Sequence, residues 1–343
     1  MRVFALIVFG LVAPMSLALA QASEEAHPGS EDFIERAVAE YELDPAAVRA
    51  VLSEARYQQS IIDAMTRPAE AKPWYEYRQI FMTEARIAGG AEFWRANRAL
   101  VEQVSESLSV EPEIVLAIVG VETNYGMITG GFRVIDALAT LGFYYPRRAD
   151  FFSDELAQFI RLSEEEDLPV NEILGSYAGA MGIGQFIPSS YRAYAVDFDG
   201  SGHRDLWRSL PDALGSGANY LAVHGWEAGA PIVLPVSEVP DRLDESFSTR
   251  LNHTLEELAA LGIEFDASGL PGETAATLVE LELADGKEYW VGLNNFYVIT
   301  RYNRSPLYAM AVIQLAEAIA DQAGRVEVTY DDLAAAAGTS STA

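Results

Sequence analysis

The sequence predicts a mainly α (α+β) protein in which helices dominate and a small β-rich unit follows. Two observations support this fold class. Apolar residues recur at helical spacing over most of the first 225 residues, whereas residues 230–240 and 276–300 are rich in β-branched side chains with alternating polarity. The 343 residues are 50% hydrophobic and 22% charged, so the chain has enough apolar side chains for a substantial core.

The first predicted elements are short amphipathic helices. Helical spacing begins at Ser30 and Glu31. Asp44-Pro45 is typical of the end of one helix and the start of the next. Pro73 is expected to break the helical pattern before an aromatic cluster that contains Trp74, Tyr75 and Tyr77. Such a cluster usually belongs to a core, but Tyr and Trp also line sugar-binding grooves.

The central part of the chain is again predicted to be helical, from Ala91 to Gln158, with an interruption at Gly126 to Val134. Three glycines in that interruption indicate a loop that bends sharply or approaches another group closely. A second glycine-rich segment contains Gly179, Gly182 and Gly184, which allow close backbone approach, and a later helix is expected to end at Gly225.

The β-rich unit follows Trp226. Asp285-Gly286 is a typical hairpin turn between two strands, and the stretch "TLEELAALGI" predicts a helix within the unit. "LYAMAVIQLAEAIADQA" then predicts a C-terminal helix, and the last residues are expected to fray.

Composition excludes several classes of function. The formal net charge of -28 leaves no basic stripe for sequence-independent binding of nucleic acid, and the acidity is read as a contribution to solubility. No phosphate-binding loop or G-x-S-x-G motif is present, and "GAMGIGQF" lacks the strand and acidic residue of a dinucleotide site. The four histidines are scattered without metal-ligand spacing: His27, His203, His224 and His253.

The N-terminal residues 1–20 have the layout of a secretory signal peptide. One early Arg precedes a long apolar run, and the small residues Ala18-x-Ala20 favour cleavage after Ala20 or Ala22. An uncleaved membrane anchor is the alternative, which Pro14 disfavours. Because the chain has no Cys, neither disulfides nor a lipid-modified Cys are available, and a secreted protein that is not lipid-anchored is expected.

A single acid stands out in the stretch "IVGVETNYG", which begins at Ile118. Apolar neighbours should make the carboxyl of Glu122 harder to ionise than in water, so it could hold a proton near neutral pH and act as a general acid. A lone Glu in an apolar run is more often a structural acid. The glycine-rich loop that follows favours catalysis, because a cleft can open there.

The stretch "DFDGSGHRDLW" predicts a calcium loop. Oxygen donors occupy positions 1, 3, 5, 7 and 9 of an EF-hand-like loop. They belong to Asp197, Asp199, Ser201, the backbone carbonyl of His203, and Asp205. Arg208 occupies position 12 in place of the usual bidentate Glu, so the loop would have to close on Asp212 instead. A metal-free turn rich in Asp is the alternative. Calcium here would have a structural role.

Taken together and in this order, the motifs resemble the membrane-bound lytic murein transglycosylase B family. The resemblance runs from about residue 32 to 322 and is dense in "LAIVGVETNYG", "DALATLGFYYPRRADFF", "GSYAGAMGIGQFIPSSYRAYAVDFDGSGHRDLW" and "NFYVITRYNRSPLYAMAVIQLA". It implies a lysozyme-like core domain at 109–226, which includes the loop 197–212, with a flanking helical domain and a small β-rich domain. The helical domain spans 31–108 and is completed by a C-terminal helix at 304–324, the β-rich domain spans 227–303, and a tail spans 325–343.

The resemblance also implies roles for individual residues. The family's catalytic acid corresponds to Glu122. Ser176 and Gln185 would lie beside it, and the sugar site would be completed by Tyr77, Tyr302, Asn303 and Tyr308. The calcium ligands would be Asp197, Asp199, Ser201, His203 and Asp212. Arg304, Pro306 and Leu307 are less typical of the family.

The resemblance implies that the protein cleaves peptidoglycan without adding water. It also implies a periplasmic protein that acts as a monomer. Glu122 would protonate the glycosidic oxygen, and the C6 hydroxyl of the same muramic acid would then attack to give a 1,6-anhydro end. Two alternatives remain: a muramidase that uses a second carboxylate, such as Asp136 or Asp150, and a non-catalytic peptidoglycan-binding protein. Cell-wall synthesis complexes are further candidate partners, and nucleic acid is not expected to bind.

Overall fold

The computed structural model describes residues 26–66, 72–240 and 248–338. The predicted signal peptide at 1–20 lies outside these residues. Across the described ranges, no helix combines the length and the apolar character that crossing a membrane requires.

Short helices form the N-terminal part, as the amphipathic pattern predicts. Asp44 caps the second of them by accepting a hydrogen bond from the backbone N–H of Ala46, and Pro73 immediately precedes the fourth. Both predicted helix boundaries are therefore confirmed. The helices are α1 (Ser30–Tyr41), α2 (Pro45–Glu54), α3 (Gln59–Met65), α4 (Trp74–Phe81), α5 (Glu84–Ala96) and α6 (Arg98–Leu108).

The central part is built around two helices that are apolar over most of their surface and are largely buried for that reason. Its elements are α7 (Pro112–Thr123), β1 (Phe132–Arg133), α8 (Val134–Tyr144), α9 (Ala149–Glu165), β2 (Leu174–Gly175), α10 (Pro188–Tyr194) and α11 (Leu210–Val223). The first buried helix, α7, packs against α5, α6 and α11, and the second, α8, packs against α9. Strands β1 and β2 form a short antiparallel pair in which Phe132 faces Gly175.

The β-rich unit is an antiparallel sheet with the strand order β4-β6-β7-β3-β5. Its elements are β3 (Val233–Glu238), β4 (His253–Thr254), α12 (Leu255–Ala260), β5 (Glu264–Phe265), β6 (Ala275–Glu282) and β7 (Lys287–Gly292). Asp285 and Gly286 connect β6 to β7, and Gly286 has a φ of 92°. The hairpin and the helix within the unit are thus confirmed. A separate small core, which includes Leu258 and Val291, lies between α12 and the sheet.

Two further helices return the chain to its N-terminal half. They are α13 (Asn294–Tyr302) and α14 (Pro306–Gly338), and α14 packs against α4, α5 and α7. Helix α14 continues to Gly338, beyond the predicted tail boundary at residue 325, because an alanine-rich sequence without Pro extends it. The mainly α (α+β) class is confirmed. The division into domains remains a prediction.

Candidate active site

Glu122 lies in the last turn of α7. The residues before it are buried, with Ile118 and Val119 each 1% exposed, whereas Glu122 itself is partly exposed. The helix ends because Asn124 and Tyr125 adopt left-handed conformations with φ of 50° and 61°. The carboxyl group therefore stands at the open end of a buried apolar helix, and the chain turns away directly after it.

Tyr308 is the hydrogen-bond partner of Glu122. Its Oη donates to Oε1 of Glu122 over 2.7 Å. The side chain of Tyr308 is buried in the first turn of α14, and burial raises its pKa well above the ordinary value, with further contributions from the charge of Glu122 and from Tyr302. The phenol consequently keeps its proton and remains a donor to the carboxyl group.

Tyr302 lies beside Tyr308, and we call these two side chains the tyrosine wall. Its ring lies 6.5 Å from that of Tyr308 and nearly parallel to it. Its hydroxyl donates to the carbonyl oxygen of Gly184 over 2.6 Å, which connects the end of α13 to the glycine-rich segment. Burial raises the pKa of Tyr302 well above its ordinary value, and the charge of Glu122 raises it further.

Tyr220, on α11, supports this wall and was not predicted from the sequence. Its ring lies 4.8 Å from that of Tyr302, and its hydroxyl donates to the carbonyl oxygen of Arg301 over 2.6 Å. The sequence around Tyr220 offers no local signal for this role, because the contact depends on how α11 and α13 pack.

The glycine-rich segment folds as a tight turn that carries Ser176 and Gln185. The Oγ of Ser176 accepts hydrogen bonds from the backbone N–H groups of Ala178 and Ala180. The side-chain amide of Gln185 donates to the carbonyl oxygens of Thr129 and Gly182, at 3.1 and 3.0 Å. Gln185 thereby holds the segment against the loop that follows α7.

Gly182 shows why this segment needs glycine. Its φ is 70°, and a Cβ there would lie 2.6 Å from the carbonyl oxygen of Leu206. The close backbone approach predicted for Gly182 is therefore confirmed.

Thr123 connects α7 to the same segment and was also not predicted from the sequence. The side chain is 1% exposed; its Oγ1 donates to the carbonyl oxygen of Ile183 over 2.8 Å and accepts from the N–H of Gly126. A signal was available, because Thr123 directly follows Glu122 in the motif and is one of its few polar residues.

Two of the predicted sugar-site residues, Tyr77 and Asn303, lie outside the tyrosine wall. Tyr77 is 2% exposed and packs against Phe81, with ring centroids 5.2 Å apart, and it contributes to the raised pKa of Tyr308. It therefore lies behind the wall, in the core. Asn303 joins the end of α13 to Ser305, whose N–H donates to the carbonyl oxygen of Asn303. Contact of either residue with a sugar remains a prediction.

Asp136 and Asp150, the two carboxylates considered as a second catalytic group, lie in surroundings that differ from those of Glu122. Asp136 is buried and accepts hydrogen bonds from the guanidinium of Arg133, the side chain of Gln58 and the backbone N–H of Arg56. This network fixes the segment after α2 to α8, so Asp136 is occupied structurally. Asp150 lies exposed in the first turn of α9.

The predicted calcium loop brings three carboxylates together. Ligand atoms of Asp197, Asp199 and Asp212 lie within 4.8 Å of one another. Asp212 is completely buried in the first turn of α11, where it accepts hydrogen bonds from the backbone N–H groups of Phe198, Asp199 and Asp205. Hydrogen bonds from Ser209 and Ser201 hold the pKa of Asp199 below its ordinary value.

This donor set could hold a hard cation. Ser201 and the carbonyl oxygen of His203 lie next to the carboxylates, since the Oγ of Ser201 donates to that carbonyl over 3.2 Å. All of these donors are oxygens, which calcium prefers. Asp205 instead caps the backbone of Trp207 and Arg208, so the acid that closes the loop in this structure is Asp212.

Comparisons with known proteins agree on one family. The family model described as "Transglycosylase SLT domain" matches residues 25–317. The chain is 40% identical over 305 residues to membrane-bound lytic murein transglycosylase B of Escherichia coli (strain K12), covering 86% of this chain and 83% of that protein. A crystal structure of soluble lytic transglycosylase SltB1 from Pseudomonas aeruginosa is 44% identical, covers 87% of this chain and 100% of its own, and has a TM-score of 0.79.

Two similar proteins were solved with bound groups. Escherichia coli lytic transglycosylase Slt35 in complex with calcium is 39% identical, with coverage of 87% and 94% and a TM-score of 0.77. SltB3 from Pseudomonas aeruginosa in complex with NAG-NAM-pentapeptide is 32% identical, with coverage of 85% and 79% and a TM-score of 0.72.

Proposed function

The chain belongs to the transglycosylase SLT domain family, and we propose that Glu122 is the single acid and base of its reaction. The chain is a lytic transglycosylase with a lysozyme-like fold, which is an enzyme that acts on peptidoglycan. The observation that carries this assignment is the position of Glu122. It is a partly exposed carboxyl group at the end of a buried helix, and the hydroxyl of Tyr308 donates to it over 2.7 Å.

In the first step, the carboxyl group of Glu122 donates its proton to the oxygen that links N-acetylmuramic acid to N-acetylglucosamine. The bond from that oxygen to the anomeric carbon breaks, and positive charge develops on the sugar. The tyrosine wall provides protonated hydroxyls and aromatic faces beside the carboxyl, so it orients the acid without supplying a competing negative charge.

In the second step, the carboxylate of Glu122 accepts the proton of the C6 hydroxyl on the same muramic acid. The C6 oxygen forms a bond to the anomeric carbon, which gives a 1,6-anhydro end and returns Glu122 to its acid form. Because the nucleophile belongs to the same sugar, its effective concentration exceeds that of water. No second carboxylate is needed for this reaction. Asp136 is paired with Arg133 instead, which supports the proposal.

The remaining predicted residues have supporting roles in this proposal. Gln185 and Ser176 hold the glycine-rich segment beside the catalytic helix, so their backbone and side chains line the sugar site. Tyr302 contributes a face to that site, and Asn303 follows it in the chain. Tyr77 acts through Tyr308 from its position in the core, where it contributes to the raised pKa of Tyr308.

The first test is the mass of the products released from purified peptidoglycan. We expect the parent protein to release muropeptides that are lighter by one water than hydrolysis products. The Glu122→Gln variant should release none, since the amide has nearly the same shape but cannot donate the proton. Mass spectrometry of the soluble fraction measures both results.

Glu113→Gln is the matched control, because it makes the same change in the first turn of the same helix. It should cleave at the parent rate. Hydrated ends from the parent would make the protein a muramidase, and full turnover by Glu122→Gln would remove that residue from the reaction.

We also propose that calcium occupies the loop 197–212 and stabilises it. Three carboxylates within 4.8 Å repel one another without a cation, and calcium binds such oxygen donors. The calcium complex of Slt35 supports this choice of metal. The ligands would be Asp197, Asp199, Ser201, His203 through its carbonyl, and Asp212. The site lies in a closed loop, so its role is structural.

Calcium is expected to raise the melting temperature of the parent protein, because an ion that binds only the folded state stabilises it by mass action. Asp197→Ala should remove this increase. Asp266→Ala is the control, since Asp266 also forms an exposed turn with a serine but lies outside the loop. Differential scanning calorimetry with calcium and with a chelator measures the shifts, and a parent protein that ignores calcium would refute the site.

The proposed location is the periplasm, where the substrate lies. The signal-like layout of residues 1–20 supports export. Peptidoglycan is the proposed partner, and a monomer with its single site is sufficient for the reaction described above.

A further inference from the structure

The hydroxyl group of Thr123 joins the end of α7 to the glycine-rich segment. Thr123 follows Glu122 directly, and its side chain is 1% exposed. Its Oγ1 donates to the carbonyl oxygen of Ile183 over 2.8 Å and accepts from the N–H of Gly126 over 3.0 Å. A longer bond, to the carbonyl oxygen of Val119 at 3.2 Å, stays within the helix. Of these three bonds, only the one to Ile183 reaches a distant part of the chain.

The next carbonyl group of that segment is bound by the tyrosine wall. The hydroxyl of Tyr302 donates to the carbonyl oxygen of Gly184 over 2.6 Å. We call the two consecutive carbonyl groups of Ile183 and Gly184 the carbonyl bridge. One end of this bridge accepts from α7, through Thr123, and the other end accepts from α13, through Tyr302. Two helices that are far apart in the chain are therefore linked across one peptide unit.

The carbonyl bridge depends on groups outside its own segment. Gly182 and Gly184 have no side chains with which to pack, and a Cβ at Gly184 would lie 3.1 Å from the hydroxyl oxygen of Tyr302. The N–H of Ile183 donates to the carbonyl oxygen of Leu206 over 2.8 Å. Since the segment cannot fix its position by packing of glycines, the hydrogen bonds to its backbone decide where the bridge lies.

The contacts form a closed circuit that begins and ends at Glu122. Tyr308 donates to the carboxyl group of Glu122, and the ring of Tyr302 lies 6.5 Å from that of Tyr308. Tyr302 binds the carbonyl bridge, and the bridge binds Thr123, which is the residue after Glu122. Because protein interiors are close-packed, a displacement of one member of the circuit is passed to the next.

We propose that Thr123 is a positioning residue, which sets the place of the tyrosine wall relative to Glu122 through the carbonyl bridge. This inference rests on the proposed function and adds to it a buried residue that acts through others. Proton transfer requires the acid within hydrogen-bond reach of the reacting oxygen. A misplacement of about 1 Å can lower a rate by about a hundredfold, so the hydroxyl of Thr123 should affect the chemical step more than binding.

Thr123→Val tests this role, because valine has nearly the same shape as threonine and lacks the hydroxyl. On soluble peptidoglycan strands its kcat should fall by about tenfold or more, while KM stays within about twofold of the parent value. Thr123→Ser keeps the hydroxyl and should retain kcat within about threefold of the parent value. Initial rates give both constants, at a temperature where circular dichroism shows each variant to be folded.

Thr140→Val is the matched control, since Thr140 is another threonine buried in the core. It is 0% exposed, its hydroxyl accepts from the N–H of Gln58 over 3.0 Å, and it donates to the carbonyl oxygen of Arg56 over 3.4 Å. The control variant should lower the melting temperature as Thr123→Val does and keep the parent kcat. Equal losses of kcat in the two valine variants, parent kcat in Thr123→Val, or a serine variant as slow as Thr123→Val would overturn the proposal.

A second measurement tests whether the two ends of the carbonyl bridge act together. Tyr302→Phe removes the hydroxyl at the other end. Once one end is released, loss of the second bond has less left to displace, so the double variant with Thr123→Val should exceed the product of the single effects on kcat by about threefold or more. Thr140→Val combined with Tyr302→Phe should give the simple product. A simple product for the Thr123 pair as well would contradict a role through the bridge.

These outcomes are separable from the proposed function. If Glu122→Gln still cleaved peptidoglycan, the proposed function would fail at Glu122 itself. If Glu122→Gln were inactive and Thr123→Val had the parent kcat, the proposed function would stand and only the positioning role of Thr123 would fail.

Discussion

At the scale of single residues, the proposed chemistry depends on the pairing of Glu122 with Tyr308. A catalytic carboxyl group that both donates and accepts a proton must keep one orientation in both states. A buried phenol suits this purpose, because its raised pKa keeps the hydroxyl protonated and its burial fixes the ring. A lysine in the same place would instead add a positive charge that favours the ionised carboxylate.

Removal of this hydroxyl tests its role. Tyr308→Phe is expected to lower kcat by about tenfold or more with little change in KM, since a hydrogen bond to a charged group is worth about 1.5–3 kcal/mol. The pKa of Tyr308 lies well above 10.0, so the donor is present at every pH below that value. The ratio of parent to variant rates should therefore stay constant across neutral pH, as measured by initial rates.

The chain offers a matched control in its β-rich unit. The hydroxyl of Tyr289 donates to the carboxylate of Glu280 over 3.1 Å, which is the same pair of groups at another place. Tyr289→Phe should leave kcat unchanged. A Tyr308→Phe variant with parent kcat would show that the contact is incidental.

At the scale of elements, α5, α7 and α14 meet around one aromatic ring. The hydroxyl of Tyr125 donates to the carbonyl oxygen of Arg86 over 2.8 Å, and the ring lies over Gly90 and Gly120. Arg86 in turn donates to the carbonyl oxygen of Gly120 over 2.6 Å. Close packing of these helices holds the end of α7, and with it Glu122, in place.

Two adjacent glycines of α5 provide a test of this packing. A Cβ at Gly90 would lie 2.5 Å from the hydroxyl oxygen of Tyr125 and 2.7 Å from side-chain atoms of Ile319, whereas at Gly89 the nearest atom is 3.5 Å away. Gly90→Ala should therefore lower the free energy of unfolding by about 1–3 kcal/mol.

Gly89→Ala serves as the control for helix propensity. It should leave the free energy of unfolding unchanged or raise it by up to about 1 kcal/mol, because Ala favours a helix over Gly. Urea denaturation of both variants gives the values, and equal effects at the two positions would contradict the packing described.

Element boundaries were predictable where the signal is local. Asp44-Pro45, Pro73 and Asp285-Gly286 act on the backbone within a few residues, so the sequence alone predicts their effect. The packing of Tyr125 against α5 was not predictable, because it depends on where two distant helices come together.

At the scale of the whole molecule, the sequence predicts the groups of the site better than their arrangement. The single acid in "IVGVETNYG" and the aspartates of the loop 197–212 are visible as local patterns. The tyrosine wall follows only from resemblance to the family, since Tyr302 and Tyr308 lie on two different helices; Tyr220, on a third helix, was not predicted.

The distance along the chain between Glu122 and Tyr308 has a consequence for biosynthesis. The two residues are 186 positions apart, more than half of the 343 residues, and Tyr308 belongs to a helix near the end of the described chain. A ribosome makes Glu122 long before its partner. A chain that stops before Pro306 has the acid without the phenol that orients it, so we expect full wall-cutting activity only after the ribosome has passed Tyr308.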